Sequence, residues 1–384
     1  MHSFLFIIFW LSILLVASSY FLYPLVIWLI GKMFPFSPKR KEIFPQVSVI
    51  IPAYNEENSI EKKVRNTLEL EYPQDKMEIL VGSDGSTDKT SEIMSNLSNN
   101  KIRFFDFKQN RGKTAVQNDL VKESKGEILV FTDAASFLSP DSLKKIVRDF
   151  ADPRIGCVGG KMLFMDLDRN LTTKSQGIYW RYESKLRELE SRLGSLIGVD
   201  GPLYAVKREY YLPLESHIIS DLLTPLLVLE QGKKVILEPE ALVFEDPTYE
   251  STQEFKTRRR ITVRGLVGLA NYPRLLNPFR HLLLSFQIFL HKIVRWLVGP
   301  LILINLLSTI CLSYSGLRAF RFLLVLYMLF FMGAGFGWIT EHLGIKSRIL
   351  TIPYYFTLVN LAAMMGVIDF LKKKQAVTWT PVRK

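Results

Sequence analysis

Cysteine is nearly absent from this chain. The 384 residues hold two, Cys157 in the middle portion and Cys311 inside an apolar run. The layout read below puts them in different compartments, which excludes a bridge and a metal cluster alike. Such usage suits a reducing cytosol. Acid is also short: 37 Asp and Glu against 49 Lys and Arg leave a formal charge of +12. That excess could signal nucleic acid, yet the acid-free run Lys256 to Arg264 lacks the interleaved aromatics of a single-strand groove. Basic residues gather instead at the borders of apolar runs, at Lys39, Arg40 and Lys41 and again at Lys372, Lys373 and Lys374. The distribution argues for no nucleic acid, and for a membrane surface and an anionic substrate.

Charge is missing from Phe4 to Ile30. The run is longer than a signal-peptide core and reads as a retained anchor. Three more apolar runs follow the middle of the chain, Trp296 to Tyr314, Phe322 to Ile339 and Ile349 to Phe370. The expected layout is an anchor over 1–33, a soluble α/β domain over 34–275, an amphipathic segment over 276–296, transmembrane helices over 297–371 and a basic tail over 372–384. Lys39 to Lys41 follow the anchor at once, which places the middle domain in the cytosol of an integral, multi-pass protein of the cell or inner membrane. The tail resists the same rule. If all three later runs cross, the basic end falls outside, so one of them, the Pro353-interrupted last run being the candidate, does not span as a simple helix.

Within the middle, Val47 to Ile51 is a continuous β-branched run of the kind buried in parallel sheets. It ends in the loop Ala53, Tyr54, Asn55, Glu56, Glu57, and a helix pattern covers Ser59 to Leu70. A second strand, Glu78 to Val81, stops at Gly82 and runs into Ser83, Asp84, Gly85, Ser86, Thr87, Asp88. Further strands are expected at Ile102 to Phe107 and Ile128 to Phe131, and Gly201, Pro202, Leu203, Tyr204 opens another that runs to Lys207. Alternation at this spacing means a doubly wound sheet, whose ligands sit at the carboxyl ends of its strands. Those ends carry acidic loops at Asp84 and at Thr132, Asp133, Ala134. Between them lies the basic turn Gln109 to Lys113. Each has a plain alternative: a turn and helix N-cap for Asp84, a solvated helix-start lysine for Lys113, a carboxylate at a helix N-terminus for Asp221. Gly177 to Gly194 reads as an amphipathic packing helix. Arg280 to Trp296 gathers His281, Ser285, Gln287, His291, Lys292 and Arg295 on half a wheel, and reads as an interfacial helix lying on the bilayer.

Val47 to Glu57, Ser83 to Asp88, Gly112-Lys113, Thr132-Asp133-Ala134 and Ser220-Asp221 resemble, in order and spacing, the motifs of family 2 glycosyltransferases. The likeness is to the membrane-bound branch that contains cellulose, chitin, hyaluronan and poly-N-acetylglucosamine synthases, and it covers Val47 to Gly265. It implies a GT-A fold, a nucleotide-diphosphate sugar donor (a UDP-sugar first), a divalent metal (Mg or Mn) and inversion at the anomeric carbon. By position, Ala53, Tyr54, Glu56 and Asp84 would hold the nucleoside, Lys113 would approach the diphosphate and Asp133 would stand at metal and phosphates. Asp221 would be the general base. Two departures stand out. Ala135 occupies the place of a second acid in the metal loop. The stretch matching Gln-x-x-Arg-Trp reads Thr257, Arg258, Arg259, Arg260, Ile261, which keeps a cation for the leaving diphosphate in Arg260 but loses the Trp. The acceptor implied is a saccharide or a lipid, with membrane lipid around it and an export or homo-oligomer partner for a polymer. Transfer of one sugar to a polyprenyl phosphate or other lipid is the alternative enzyme, and a non-catalytic nucleotide-binding membrane component the alternative outside enzymes.

Overall fold

A computed structural model describes residues 2–97, 100–165, 171–247, 250–345 and 347–373. Nearly all of the expected basic tail therefore lies outside the described residues. The chain opens with one long helix, α1 (His2–Met33). Its linker to the domain is held in place: Phe36 N–H donates to the Arg192 carbonyl at 2.7 Å, and Arg40 pairs with Asp149 at 2.7 Å and Glu238 at 3.0 Å. One of the basic residues expected at the membrane border is thus spent on the domain.

The alternation expected from the sequence is present. β1 (Val47–Ala53), α2 (Ile60–Leu68), β2 (Met77–Asp84), α3 (Thr90–Asn96), β3 (Ile102–Phe107), α4 (Lys113–Glu123) and β4 (Ile128–Phe131) follow in turn. β1 pairs in parallel with β2 and β4, and β2 in parallel with β3. All seven residues of β1 are buried, which is why it reads as an unbroken apolar run rather than an alternating one. Its side chains feed two cores, with Val47, Val49 and Ile51 on one face and Ile50 on the other.

Beyond β4 the sheet changes character. β5 (Ser136–Leu138), α5 (Ser142–Arg148), β6 (Ile155–Phe164), α6 (Leu171–Ser191), β7 (Tyr204–Lys207), α7 (Ser220–Glu230) and β8 (Lys234–Glu245) complete an eight-stranded mixed sheet of order β3-β2-β1-β4-β7-β6-β8-β5. β7 runs antiparallel to both β4 and β6, while β6 and β8 are parallel. The chain order reverses beside β1 and β4, the switch point at which doubly wound sheets bind ligands.

Four apolar or amphipathic helices follow α8 (Ser251–Asn271): α9 (Leu282–Trp296), α10 (Val298–Ser313), α11 (Arg318–His342) and α12 (Arg348–Leu371). The run interrupted by Pro353 is one continuous helix: α12 carries the proline in its second turn, at the cost of the bond its N–H would have made to the Ile349 carbonyl. The bend falls instead between α9 and α10, 62° across Leu297.

The polar stripe of α9 corrects the sequence reading. Ser285, Gln287, His291 and Arg295 do not face water; all are buried. Gln287 Nε2 donates to the Ser195 carbonyl at 2.8 Å. His291 meets Glu190 at 2.6 Å and Glu183 at 3.2 Å, and Arg295 pairs with Glu183. A helical wheel shows which residues share a side, but not that α6 offers carboxylates to that side.

Candidate active site

Gly201 is the point on which the site closes. A Cβ built there would lie 2.9 Å from Asp221 Oδ2, 3.4 Å from Lys113 Nζ and 3.8 Å from Asp133 Oδ2. Three charged side chains from three elements therefore meet over one backbone position, where an added Cβ would press on the Asp221 carboxylate.

Each is held from behind. Asp133 follows β4 in the loop before β5, and Lys63 of α2 reaches beneath that loop to donate to Thr132 Oγ1 at 2.7 Å and the Ser136 carbonyl at 2.8 Å. Lys63 is fully enclosed. Burial lowers its pKa to about 7, against a partial lift from the Asp133 charge. Lys113 opens α4 and forms an ion pair with Asp133. Asp221 sits in the first turn of α7. Its carboxyl is pushed above the ordinary range, chiefly by burial; Lys113 pulls it down and Asp133 pushes it up again.

Arg264 locks two of these elements together. Its Nη2 donates to the Ile218 carbonyl at 2.7 Å, the Ser216 carbonyl at 3.1 Å and Thr114 Oγ1 at 3.2 Å, so the start of α7 and the start of α4 share one guanidinium. One turn earlier, Arg260 feels both Asp221 and Asp133, although burial still lowers its pKa. Among the described residues its guanidinium has no hydrogen-bond or ion-pair partner. Arg258 and Arg259, by contrast, are taken by Glu254 at 2.8 Å and by Asp369. The basic run is therefore not one solvated face but three arginines with three uses.

The remaining expected residues gather at the carboxyl ends of β1 and β2. Ala53 closes β1 and is buried, with Tyr54 and Glu56 half-buried after it. Asn55 takes a positive φ of 53°, which Asn tolerates better than most residues. From there its Oδ1 accepts from Thr87 N–H at 2.8 Å, tying the first loop to the second. Glu56 Oε2 accepts from Ser59 at 2.5 Å. Asp84, expected at the nucleoside, is fully buried, and its oxygens accept the N–H groups of Arg111 and Gly112, each at 2.8 Å. Burial raises its pKa against these two bonds. In this structure Asp84 shapes the turn that presents Lys113, while Lys113, Asp133, Asp221 and Arg260 converge in front of it.

From Asp133 and Asp221 a cleft of about 380 Å³ runs along α6 to α9 and α12. Sequence reasoning read α6 as packing only. Leu186 and Leu189 do pack, but Trp180, Glu183 and Arg187 line the cleft. Arg187 pairs with buried Asp200 and stacks over Trp180 at 4.7 Å. Where Ile261 leaves the cleft without the aromatic that the motif would supply, Trp180 and Trp296 face into it. The only signal in the sequence was the cluster of ionisable residues beside the apolar stripe, and ionisable residues on a surface helix are commonplace.

For a metal, the donor set is thin. No group of three or more His, Cys, Asp or Glu suited to an ion occurs among the described residues. Mg²⁺ sites commonly use one or two carboxylates and complete the shell with water and substrate phosphates. Asp133 fits that pattern, with Asp221 nearby and Ala135 adding no ligand.

Sheet order, strand directions and the position of the cleft define a GT-A fold. The mannosyltransferase PcManGT from Pyrobaculum calidifontis, solved in complex with GDP-Man and Mn²⁺, superposes with a TM-score of 0.71 over 96% of this chain and 100% of that one, at 22% identity. Residues 48–212 match the family model Glycosyl transferase family 2. Similar curated proteins include an N-acetylglucosaminyltransferase of Azorhizobium caulinodans, 27% identical over 174 residues, which is 44% of each chain. A poly-beta-1,6-N-acetyl-D-glucosamine synthase of Staphylococcus epidermidis is 28% identical over 155 residues, 36% of this chain and 37% of that one. A beta-monoglucosyldiacylglycerol synthase of Nostoc is 28% identical over 177 residues, 44% and 38%. The matches thus span less than half the length of these relatives.

Proposed function

We propose that the protein is a membrane-bound inverting glycosyltransferase that moves a sugar from a nucleotide-diphosphate sugar to a saccharide or glycolipid acceptor. The observation that carries this reading is the meeting of Lys113, Asp133 and Asp221 over Gly201, with Arg260 beside them unpartnered among the described residues. Displacement at an anomeric carbon needs a base behind the nucleophile and cations on the leaving group. Asp221 takes the acceptor hydroxyl's proton. Lys113 and Arg260 receive the leaving diphosphate, and Lys113 exchanges its Asp133 contact for phosphate as the donor enters. A divalent ion held by Asp133 would add positive charge on the same side. Ala53, Tyr54 and Glu56 form the wall against which the nucleoside rests, and a UDP-sugar is the first donor to try.

The helices support a definite placement in the bilayer. Ser315, just past α10, lies 2.9 Å from His2 at the start of α1, so α10 returns to the end of α1 that is remote from the domain. Phe320 of α11 packs on Phe6 and Phe9 at that same end. α12 lies against α8 instead: Tyr355 donates to Glu254 at 2.6 Å, Arg259 pairs with Asp369, and Gly366 sits against the Arg259 carbonyl. In this reading α1, α10 and α11 cross, and α12 lies in the interface on the domain's side. Lys372 and Lys373 then fall on the cytosolic side, as the positive-inside rule asks.

A screen of labelled UDP- and GDP-sugars on the purified full chain, with and without Mn²⁺, tests the chemistry. The expected result is metal-stimulated release of nucleoside diphosphate with one donor, and label appearing in polymer or in organic-extractable product. Donor binding without turnover under every condition would leave only the nucleotide-binding component.

A further inference from the structure

A second cavity, of about 520 Å³, lies among α1, α10, α11 and α12 and is apolar almost throughout. Its few polar walls are largely self-satisfied: Asn305 donates to the Phe9 carbonyl at 2.9 Å and accepts from Tyr327 at 2.6 Å. Leu303 (48% exposed), Leu326 (45%) and Leu361 (44%) stand at its rim, so it opens sideways where a bilayer would supply hydrocarbon. Its volume falls within the roughly 300–1,000 Å³ of small-molecule sites.

The cavity abuts the catalytic cleft. Asn360 lines both. Phe356, on the apolar side, has its ring centroid 6.4 Å from that of Tyr20, on the polar side. Beyond this junction, Arg295 Nε and Nη2 and Thr257 Oγ1 have no hydrogen-bond partner among the described residues, although the guanidinium lies over the Tyr20 and Tyr182 rings at 4.8 and 4.9 Å. The Arg295 side chain is 8% exposed, and its charge is already met by Glu183. These donors ask for oxygen without asking for negative charge, and a second buried anion would add a desolvation cost that the existing pairs do not need.

Resting on the transferase reading of the cleft, we propose that the acceptor is a neutral, hydroxyl-bearing lipid. Its hydrocarbon chain occupies the apolar cavity, and its head passes Tyr20, Phe356 and Asn360 to reach Asp221. The head's hydroxyl oxygen forms the new bond to the anomeric carbon as the bond from that carbon to the diphosphate oxygen breaks. The hydroxyl proton goes to the Asp221 carboxylate, and the nucleoside diphosphate leaves with the bonding pair.

The test uses the full chain in phosphatidylcholine nanodiscs with a diazirine-bearing analogue of dioleoylglycerol. Crosslinks are expected on the cavity-facing residues of α10 and α12, removed by unlabelled dioleoylglycerol. Leu361→Trp and, from the opposite wall, Leu303→Trp narrow the rim, and each should cut crosslinking at least tenfold while acceptor-independent release of nucleoside diphosphate is unchanged. In turnover, dioleoylglycerol should show a KM at least tenfold below dibutyrylglycerol in the wild type, and either Trp variant should erase the gap. Crosslinks spread over the outward faces of α1 and α11 would overturn the proposal, as would equal use of the two glycerides or preferential use of a prenyl phosphate. If the wild type releases no nucleoside diphosphate from any donor, the transferase reading fails, whereas the crosslinking pattern still decides the lipid site.

Discussion

Lys63 Nζ donates to Thr132 Oγ1 at 2.7 Å from a fully buried position beneath the acidic loop. Among the described residues no carboxylate pairs with it directly. Its two hydrogen bonds, the second to the Ser136 carbonyl, fix the backbone on either side of Asp133. Lys63→Met takes this donor from the Ser136 carbonyl and leaves Thr132 Oγ1 only a 3.4 Å contact with Ser136 Oγ, a cost of about 1–3 kcal/mol for an unmet buried group. The lysine also titrates where it can be observed. Its folded-state pKa is lowered from 10.5 to about 7, so between those values the unfolded chain binds more protons and wild-type stability climbs with pH. Denaturant melts at pH 7 and pH 10 should show the wild type gaining on Lys63→Met as pH rises, and losing that gain on return to pH 7. Transfer activity falls in the variant because Asp133 is no longer held against Lys113.

Asp221 carries the opposite sign. Its carboxyl is raised by burial, so the folded protein binds the extra proton, and stability is lost as pH climbs from the unfolded value, about 3.9, through the folded one. Asp221→Asn removes that penalty. The variant should be at least as stable as the wild type at pH 7 and no more stable at low pH, while transfer drops on the order of 10² to 10⁴ and donor affinity stays. In the wild type, kcat/KM should fall on an acid limb centred above the ordinary carboxylate value. A limb at about 3.9, or full turnover in the Asn variant, removes Asp221 from the role of base.

The contrast between Val47 to Ile51 and α6 shows what the sequence could disclose. A central parallel strand is buried on both faces, so composition alone marks it, and Ile102–Phe107, Ile128–Phe131 and Tyr204–Lys207 fall where they were expected. Asp133 and Asp221 were found because acidic residues end a strand or begin a helix, which are local facts. Trp180, Arg187 and Glu183 were not, since their part depends on α9 and α12 closing over them from more than a hundred residues away. β6 and β8 were missed for a related reason: Gly159 and Gly160 interrupt one and Pro239 the other, breaking the apolar pattern that a strand search follows. Asp84 shows a third limit. Its position at a strand's end was legible, but that both oxygens turn to the backbone of Arg111 and Gly112 depends on a loop that spacing does not specify.

Ala135 offers a test of the metal loop from the other direction. With one carboxylate at Asp133 already engaged by Lys113, an ion must draw much of its shell from donor phosphates and water. Ala135→Asp restores a second acid, and the Mn²⁺ concentration for half-maximal turnover should fall by about tenfold, the equivalent of ~1.4 kcal/mol. Asp133→Asn should raise it and slow turnover together. Titration of Mn²⁺ at saturating donor separates the two variants, and an unchanged midpoint in both would take the metal away from this loop.

The placement of α12 has a consequence on which hydropathy and packing disagree. By length and apolar character Ile349–Leu371 qualifies as a span, whereas Tyr355, Gly366 and Asp369 all bind it to α8. If it spanned, Lys373 would lie across the membrane from the domain; if it lies in the interface, both share one side. Cysteine labelling decides this in a Cys311→Ala background, since Cys157 is fully buried and should stay silent. In sealed inside-out vesicles, where the cytosolic face is outermost, an impermeant maleimide should modify Lys373→Cys as readily as Lys125→Cys on the domain surface. Ser315→Cys should react only after the vesicles are opened. Protection of Lys373→Cys together with Ser315→Cys would make α12 a true span and return the basic end to the far side.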